Sequence, residues 1–122
     1  MGQPVVHFEI LGRDGEGLQR FYSEAFGWEM QQAPGPMTYA LVREYQGAQG
    51  TGIPGGVGGT DESPGPVTFY IEVPDVEAAF QKVESLGGKR VRGPDEVPGV
   101  GIAIAHIEDP EGHLIGIVQP LG

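Results

Sequence analysis

The chain carries one order of predicted elements twice, and this repetition constrains its fold more than any other feature. Each half begins with an apolar run that is typical of a strand, at residues 5–11 and again at 67–73. A helix follows in each half, because apolar residues recur at helical spacing after Asp14 and after Asp75, and aspartate is a favoured N-cap residue. Further strand candidates complete the halves, at residues 28–32, 37–45, 51–59, 89–92, 100–107 and 114–119.

The two halves also align with each other, as a duplicated module predicts. A shift of 61 residues brings His7 onto Thr68, and a shift of 60 brings Gly56 onto Gly116. We therefore expect a single domain over residues 1–122. Within it we expect a first module, an acidic linker and a second module, at about residues 4–59, 60–66 and 67–120.

The composition excludes several classes of site and partner. The chain has no cysteine, so disulfides, thiol nucleophiles and Cys-ligated zinc are excluded and a reducing compartment is favoured. No apolar run reaches the roughly 18 residues of a membrane-spanning helix, and the sequence does not begin like a secretory signal. We therefore expect a cytoplasmic protein with no membrane partner. The net charge of −10 disfavours nucleic acid, and it serves either solubility or a preference for cationic ligands.

Several short segments, taken in order, indicate a family. They are Val6-His7-Phe8-Glu9-Ile10, Phe21-Tyr22, Phe26-Gly27-Trp28, Val73-Pro74-Asp75-Val76, Leu86-Gly87-Gly88 and Asp109-Pro110-Glu111-Gly112-His113-Leu114-Ile115. With these segments the chain resembles the glyoxalase, bleomycin-resistance and extradiol-dioxygenase superfamily, also called vicinal oxygen chelate proteins, over nearly its whole length. The resemblance implies an α+β fold in which two βαβββ modules pair into a curved mixed sheet cup, and it implies a homodimer.

The resemblance also implies metal-ligand positions, and this sequence leaves most of them without a ligand. Metal-dependent members offer His, Gln or Glu side chains from several strands to a divalent ion. The corresponding positions here are His7, Thr68, Gly56 and Gly116, so only the first carries a competent ligand. Because a catalytic metal normally needs three protein ligands, we expect no cofactor and no metal ion. If an ion does bind, His7 and Glu9 are its predicted ligands.

Strand alternation divides the side chains between the cup and the helices. If His7 faces the cup, Glu9 does so as well, whereas Phe8, Ile10, Phe69 and Ile71 are predicted to be buried beneath helices. The pattern does not fix the facing of His106. The candidate ligand-binding residues are therefore His7, Glu9, Thr68, Tyr70, Glu72 and His106.

The roles of these candidates stay open between a functional and a structural interpretation. His7 and Glu9 form either an acid–base pair or a hydrogen-bonded polar pair in a half-open cleft. Tyr70 either orients a ligand through its hydroxyl or fills space. Glu72 either faces a ligand or is solvated near its strand end. No residue is assigned a catalytic role on this basis.

The resemblance and the charge together predict a small-molecule-binding protein. We expect it to be independent of metal and to bind a small or cationic organic ligand in the cup. The alternative is a metal-dependent lyase, isomerase or dioxygenase with a nonstandard site, and whether the chain is an enzyme is left open. A third interpretation is a domain that has lost chemistry and serves association. Fold analogy alone does not name the ligand.

Overall fold

Aspartate side chains fix the starts of both helices. The carboxylate of Asp14 accepts a hydrogen bond of 2.9 Å from a backbone N–H of the first turn of helix α1, Gly15–Phe26. Asp75 caps helix α2, Val76–Ser85, in the same way at 3.2 Å. Helix α1 ends at Gly27, whose φ of 75° is the left-handed conformation that glycine adopts most readily. The two N-caps are as predicted.

The computed structural model describes residues 2–122, and within them the two helices are combined with ten strands. The predicted α+β class is confirmed, and so is the predicted order of elements in each half. The hairpin formed by the fourth and fifth strands is an addition that the sequence did not predict. The strands are β1 Val5–Gly12, β2 Met30–Gln32, β3 Tyr39–Val42, β4 Gln46–Gly47, β5 Gly50–Thr51, β6 Gly55–Gly59, β7 Val67–Glu72, β8 Lys89–Val97, β9 Ile102–Glu108 and β10 Leu114–Pro120.

The chain divides into two compact units, each with one helix and four strands of the mixed eight-stranded sheet. The first-half unit is His7–Val67, with the strand order β2-β3-β6-β1. The second-half unit comprises residues 2–6 and Thr68–Gly122, with the strand order β7-β10-β9-β8. In each unit the strand before the helix pairs in parallel with the last strand, and the other neighbours are antiparallel. The side of each sheet that its own helix does not cover is called the open side below.

In the first-half unit, β1 turns Phe8 toward α1. The Phe8 ring lies 5.2 Å from the ring of Trp28, which in turn stacks on Tyr22 of α1 at 5.2 Å and 12°. Phe8 and Ile10 are half-buried, so their predicted direction is confirmed although their burial is incomplete. Because side chains alternate along a strand, His7 and Glu9 lie on the open side.

A buried glutamine joins α1 to the sheet of the first-half unit. Gln19 is 6% exposed, and its side-chain amide donates a hydrogen bond of 2.9 Å to the carbonyl of Val57 on β6. Its amide oxygen accepts a second bond of 2.9 Å from Gln32 on β2. A buried amide with both ends bonded avoids the desolvation cost of an unpaired polar group. These bonds hold α1 against the side of the sheet that carries the buried Ala40 and Val42.

The apolar core of the second-half unit lies between α2 and its sheet. Ile71 packs against this core as predicted, whereas Phe69 is 38% exposed, so the prediction that Phe69 is buried beneath a helix is wrong. The reason is that α2 packs over β8, β9 and β10, and β7 meets this core at its C-terminal end, at Ile71, which lies beyond Phe69. The buried residues of the core are Val73, Val76, Phe80, Ala105, Ile107 and Ile117.

Within residues 2–122, neither helix has the length and apolar character needed to cross a bilayer.

Phe80 is 1% exposed in this core, so replacing it with alanine should create a cavity that the surroundings fill only in part. We expect Phe80→Ala to lower the free energy of unfolding by about 3–5 kcal/mol in chemical denaturation. Phe69→Ala is the matched control and should cost no more than about 1 kcal/mol, because much of that ring is already in solvent. Equal losses in the two variants would contradict the core described here.

Candidate functional site

The open side of the first-half unit brings together an imidazole, a phenol and a carboxylate. The hydroxyl of Tyr39 on β3 lies 3.0 Å from Nε2 of His7 and donates a hydrogen bond of 3.0 Å to Oε2 of Glu9, both on β1. A phenol has one hydrogen to donate. Since that hydrogen goes to the carboxylate, Nε2–H of His7 donates to the phenol oxygen. The three side chains therefore form one directed chain, from His7 through Tyr39 to Glu9.

Two glycines of β6 make room for the tyrosine ring. Gly58 lies opposite Tyr39 in the antiparallel ladder, and Gly56 lies two residues before it on the same side of the sheet. A β-carbon at position 56 would overlap the hydroxyl and ring of Tyr39, and one at position 58 would lie 2.7 Å from a ring carbon. The glycine-rich sequence of β6 thus allows the ring to lie flat across the strand.

A half-open pocket of about 320 Å³ adjoins this cluster within the first-half unit. Burial removes water from His7 and lowers the pKa of its imidazole below the usual value. At the other rim, the guanidinium of Arg43 lies 5.5 Å above the Tyr45 ring, and the Tyr45 hydroxyl accepts a bond of 2.8 Å from the backbone N–H of Glu29. Apolar and charged groups both line the pocket, which is bounded by His7, Glu29, Met30, Gln31, Leu41, Val42, Arg43, Pro54 and Gly55.

The open side of the second-half unit holds a second phenol–imidazole pair. The Tyr70 hydroxyl lies 3.0 Å from Nε2 of His106, and Nε–H of Arg92 donates a hydrogen bond of 3.1 Å to Nδ1 of the same imidazole. An arginine Nε is always a donor, so Nδ1 must accept and Nε2 carries the hydrogen. His106 is therefore the neutral Nε2–H tautomer and donates to the Tyr70 oxygen. The facing that the sequence left open is resolved, because His106 lies on the open side.

A glycine also underlies this second pair. Gly116 on β10 lies opposite Tyr70 on β7 and opposite His106 on β9. A β-carbon at position 116 would overlap the Tyr70 ring. Thr68 is used differently, because its hydroxyl donates a bond of 2.7 Å to the carbonyl of Leu114 and fixes the start of β10.

The residues at the predicted metal positions do not fit a divalent ion. Gly56 and Gly116 offer no ligand atom, and a longer side chain at either position would meet a tyrosine ring. Thr68 bonds to the backbone, which leaves His7 as the one strong ligand of the four. Within residues 2–122, no three His, Asp or Glu side chains form a group that could hold an ion.

The candidates from the sequence thus separate into two pairs and two single residues. His7 and Glu9 are joined through the Tyr39 hydroxyl, and Tyr70 contacts His106. Thr68 bonds to the backbone, and Glu72 is exposed near the end of β7. Their binding of a ligand stays a prediction. His113 is exposed to solvent and pairs with Asp109 at 2.9 Å.

The candidate ligand-binding residues chosen from the sequence did not include Tyr39 or Arg92. The signal for Tyr39 was the glycine-rich strand beside it, which leaves space for a ring. Placing Tyr39 beside that strand requires the register in which β3 pairs with β6, and the sequence alone does not give this register. Arg92 reaches His106 because β8 and β9 are neighbours with those two residues in register.

If Arg92 fixes the tautomer of His106, removing its guanidinium should release that constraint. We expect ¹⁵N NMR of the native protein to show His106 protonated at Nε2, and Arg92→Ala to show a mixture of tautomers. Arg90→Ala is the control on the same strand, because Arg90 pairs with Glu77 and Glu84 instead. An unchanged His106 spectrum in Arg92→Ala would contradict this assignment.

The chain matches the family model described as Glyoxalase/Bleomycin resistance protein/Dioxygenase superfamily over residues 5–117. A glyoxylase-like domain-containing protein of Didymella fabae is 34% identical to it over 90 residues, which are 71% of this chain and 70% of that relative. Both findings agree with the resemblance drawn from the short segments of the two halves.

Solved structures share the fold at low sequence identity. A methylmalonyl-CoA epimerase of Streptomyces coelicolor, in complex with 2-nitronate-propionyl-CoA, is similar with a TM-score of 0.69 and 16% identity, covering 98% of this chain and 99% of that one. A superfamily member from Vibrio splendidus 12B01 is similar with a TM-score of 0.66 and 18% identity, covering 97% and 99%. Given the match over residues 5–117, the chain belongs to the Glyoxalase/Bleomycin resistance protein/Dioxygenase superfamily.

Proposed function

We propose that the protein binds a small, cationic organic ligand without the help of a metal ion, on the open side of the first-half unit. The observation that carries the proposal is the chain from His7 through Tyr39 to Glu9, which lies beside a pocket and includes only one strong ligand from the family's metal positions. Hydrogen bonds in this cluster join side chain to side chain, which supports a site that needs no ion.

The size and lining of the pocket support a small organic ligand. About 320 Å³ is at the lower end of the range for pockets that hold drug-sized molecules. Leu41, Met30 and Pro54 supply apolar wall, and polar groups occupy only part of the rim. Such a mixture favours a compact ligand with an apolar body and a few polar atoms.

The charges near the pocket support a cation. Glu9 adds a carboxylate to the cluster and Glu29 adds one to the pocket wall, while the whole chain carries a net charge of −10. Arg43 is the opposing charge in the lining, and its guanidinium lies above the Tyr45 ring. An acidic protein also raises the local concentration of cations around it, which favours their encounter with the site.

A metal-free acid–base enzyme is the second candidate. The observation that favours it is the directed hydrogen-bond chain itself, since an imidazole joined to a carboxylate through a phenol can hold a proton at either end. Turnover of a bound ligand, lost in both His7→Ala and Glu9→Gln, would distinguish this enzyme from a binding protein.

We expect organic ammonium ions to bind the chelator-treated protein more tightly than neutral molecules of the same shape, as measured by calorimetry. Choline and its neutral carbon analogue 3,3-dimethyl-1-butanol form a suitable pair. Glu9→Gln should weaken choline binding by about ten-fold, because it removes the nearest negative charge of the cluster. Glu24→Gln is the matched control, since it changes the net charge equally on an exposed residue of α1.

Two results would contradict the proposed function. One is equal binding of choline and its neutral analogue at every pH tested. The other is tight stoichiometric binding of Mn²⁺, Ni²⁺, Zn²⁺ or Fe²⁺ that disappears in His7→Ala, because the native protein would then hold an ion through His7.

The proposal includes a homodimer, supported by large exposed apolar side chains. Phe21 and Phe26 on α1 are 57% and 64% exposed, and Leu86 after α2 is 68% exposed. Water contact with such apolar side chains is unfavourable, and association removes it. We expect light scattering to give twice the mass of the chain at micromolar concentration, and a monomer mass would contradict the dimer.

A further inference from the structure

We infer that Tyr39 and Tyr70 are positioning residues. The Tyr39 hydroxyl holds His7 and Glu9 together as a shared ion would, and the Tyr70 hydroxyl holds His106. In this arrangement the Tyr39 ring lies on Gly56 and the Tyr70 ring lies on Gly116. Each ring needs a glycine at that position, because a β-carbon there would overlap it. The inference deepens the proposed function, on which its consequence for ligand binding rests.

The first-half unit shows the convergence most completely. Nε2 of His7 and Oε2 of Glu9 approach one atom, the Tyr39 oxygen, each at 3.0 Å. The hydroxyl accepts a hydrogen bond from the His7 imidazole and donates one to the Glu9 carboxylate, which a single hydroxyl can do. The hydroxyl thereby fixes two side chains of β1 relative to each other, although it comes from β3.

The ring of Tyr39 can hold that hydroxyl in place because β6 offers no side chain beneath it. Gly56 and Gly58 are both buried, and a β-carbon at either position would meet the ring or the backbone of β3. A rigid ring in close contact with a strand loses little further conformational entropy when its hydroxyl forms hydrogen bonds. The tyrosine and the two glycines therefore act as one packed group.

The second-half unit repeats the combination with a tyrosine from a different position. Tyr70 lies over Gly116 and bonds to His106 at 3.0 Å. Gly116 corresponds to Gly56 under the shift of 60 residues, but Tyr70 corresponds to Glu9 under the shift of 61, and Tyr39 has no tyrosine counterpart. The feature that recurs is thus a tyrosine ring packed on a glycine, with the tyrosine hydroxyl hydrogen-bonded to an imidazole. Duplication of an ancestral tyrosine does not account for it.

The consequence is a change in the chemistry by which the open sides recognise a ligand. A bound ion favours ligands with two oxygens that chelate it, whereas a phenol–imidazole pair recognises hydrogen-bond donors and acceptors. A chelating ligand therefore gains no advantage here over a singly hydrogen-bonding one.

A double-mutant cycle between Tyr39 and Gly56 tests the inference in the full chain. We expect Gly56→Ala to lower Tm in the native background and to have less than about half that effect in a Tyr39→Ala background, because the clash is then gone. Gly59→Ala is the control on the same strand, since a β-carbon there would lie 3.8 Å from its nearest neighbour. Equal effects of Gly56→Ala in the two backgrounds would overturn the inference.

A second measurement separates positioning from folding and remains usable if an alanine variant does not fold. Tyr39→Phe keeps the ring and removes the hydroxyl, so ¹⁵N NMR should show His7 losing its preference for the Nε2–H tautomer while Tm changes little. His113, which is exposed, serves as the control in the same spectrum. An unchanged His7 tautomer in Tyr39→Phe would overturn the positioning role.

A third measurement addresses the exclusion of metal directly, with Zn²⁺ as the probe. Gly56→Glu combined with Tyr39→Ala should bind Zn²⁺ at least about ten-fold more tightly than Gly56→Glu alone, because the ring otherwise occupies the space of the new carboxylate. Equal affinity in the two proteins would overturn the inference. Choline binding by the native protein is measured separately, so the proposed function can stand when this inference fails.

Discussion

The first-half unit depends on a strand from which almost no side chains project. Four of the five residues of β6 are glycine, and both sides of the strand are used for close approach. On the helix side a β-carbon at Gly55 would overlap Phe8, and one at Gly15 of α1 would lie 2.6 Å from the backbone nitrogen of Gly59. On the open side, the lack of side chains at Gly56 and Gly58 leaves room for the Tyr39 ring. Helix packing and the polar cluster therefore share one cause, the absence of β-carbons from β6.

In the second-half unit, the apolar core and the buried polar side chains lie on opposite sides of the sheet. Its core supplies stability by removing aliphatic and aromatic surface from water, with Phe80 at its centre. Its open side holds Tyr70 and His106, 5% and 9% exposed, in mutual contact. Burying polar atoms is tolerable only when they are bonded, and no buried side-chain nitrogen or oxygen within residues 2–122 lacks a partner. A buried polar pair of this kind specifies geometry more than it adds stability.

Membership in the superfamily fixes the fold and leaves the chemistry to individual side chains. A methylmalonyl-CoA epimerase shares the fold at 16% identity, and a likeness that distant carries no activity with it. In this chain positions 56 and 116, where the resemblance implies metal ligands, are glycines covered by aromatic rings. A function inferred from the fold alone would pass over that difference.

The alternation of polar and apolar residues in β1 and β7 determined by itself which side chains face the helices. The predicted facing was right for His7, Glu9 and Ile71. Side chains alternate along a strand, and the residues that alternate to one face of these strands are mostly polar while those on the other are apolar. It failed for the burial of Phe69, because burial depends on where the helix lies over the sheet as well as on which side a residue faces.

The sequence by itself determined the repeated order of elements, the helix N-caps and the absence of a ligand side chain at positions 56 and 116, since each of these depends on residue type or short-range spacing. Only the tertiary structure decided that Tyr39 joins His7 to Glu9, and that Arg92 and Tyr70 share His106. These contacts join residues 14 to 36 positions apart in the chain. They depend on strand register, which is set by the packing of whole elements and is not written in any local segment.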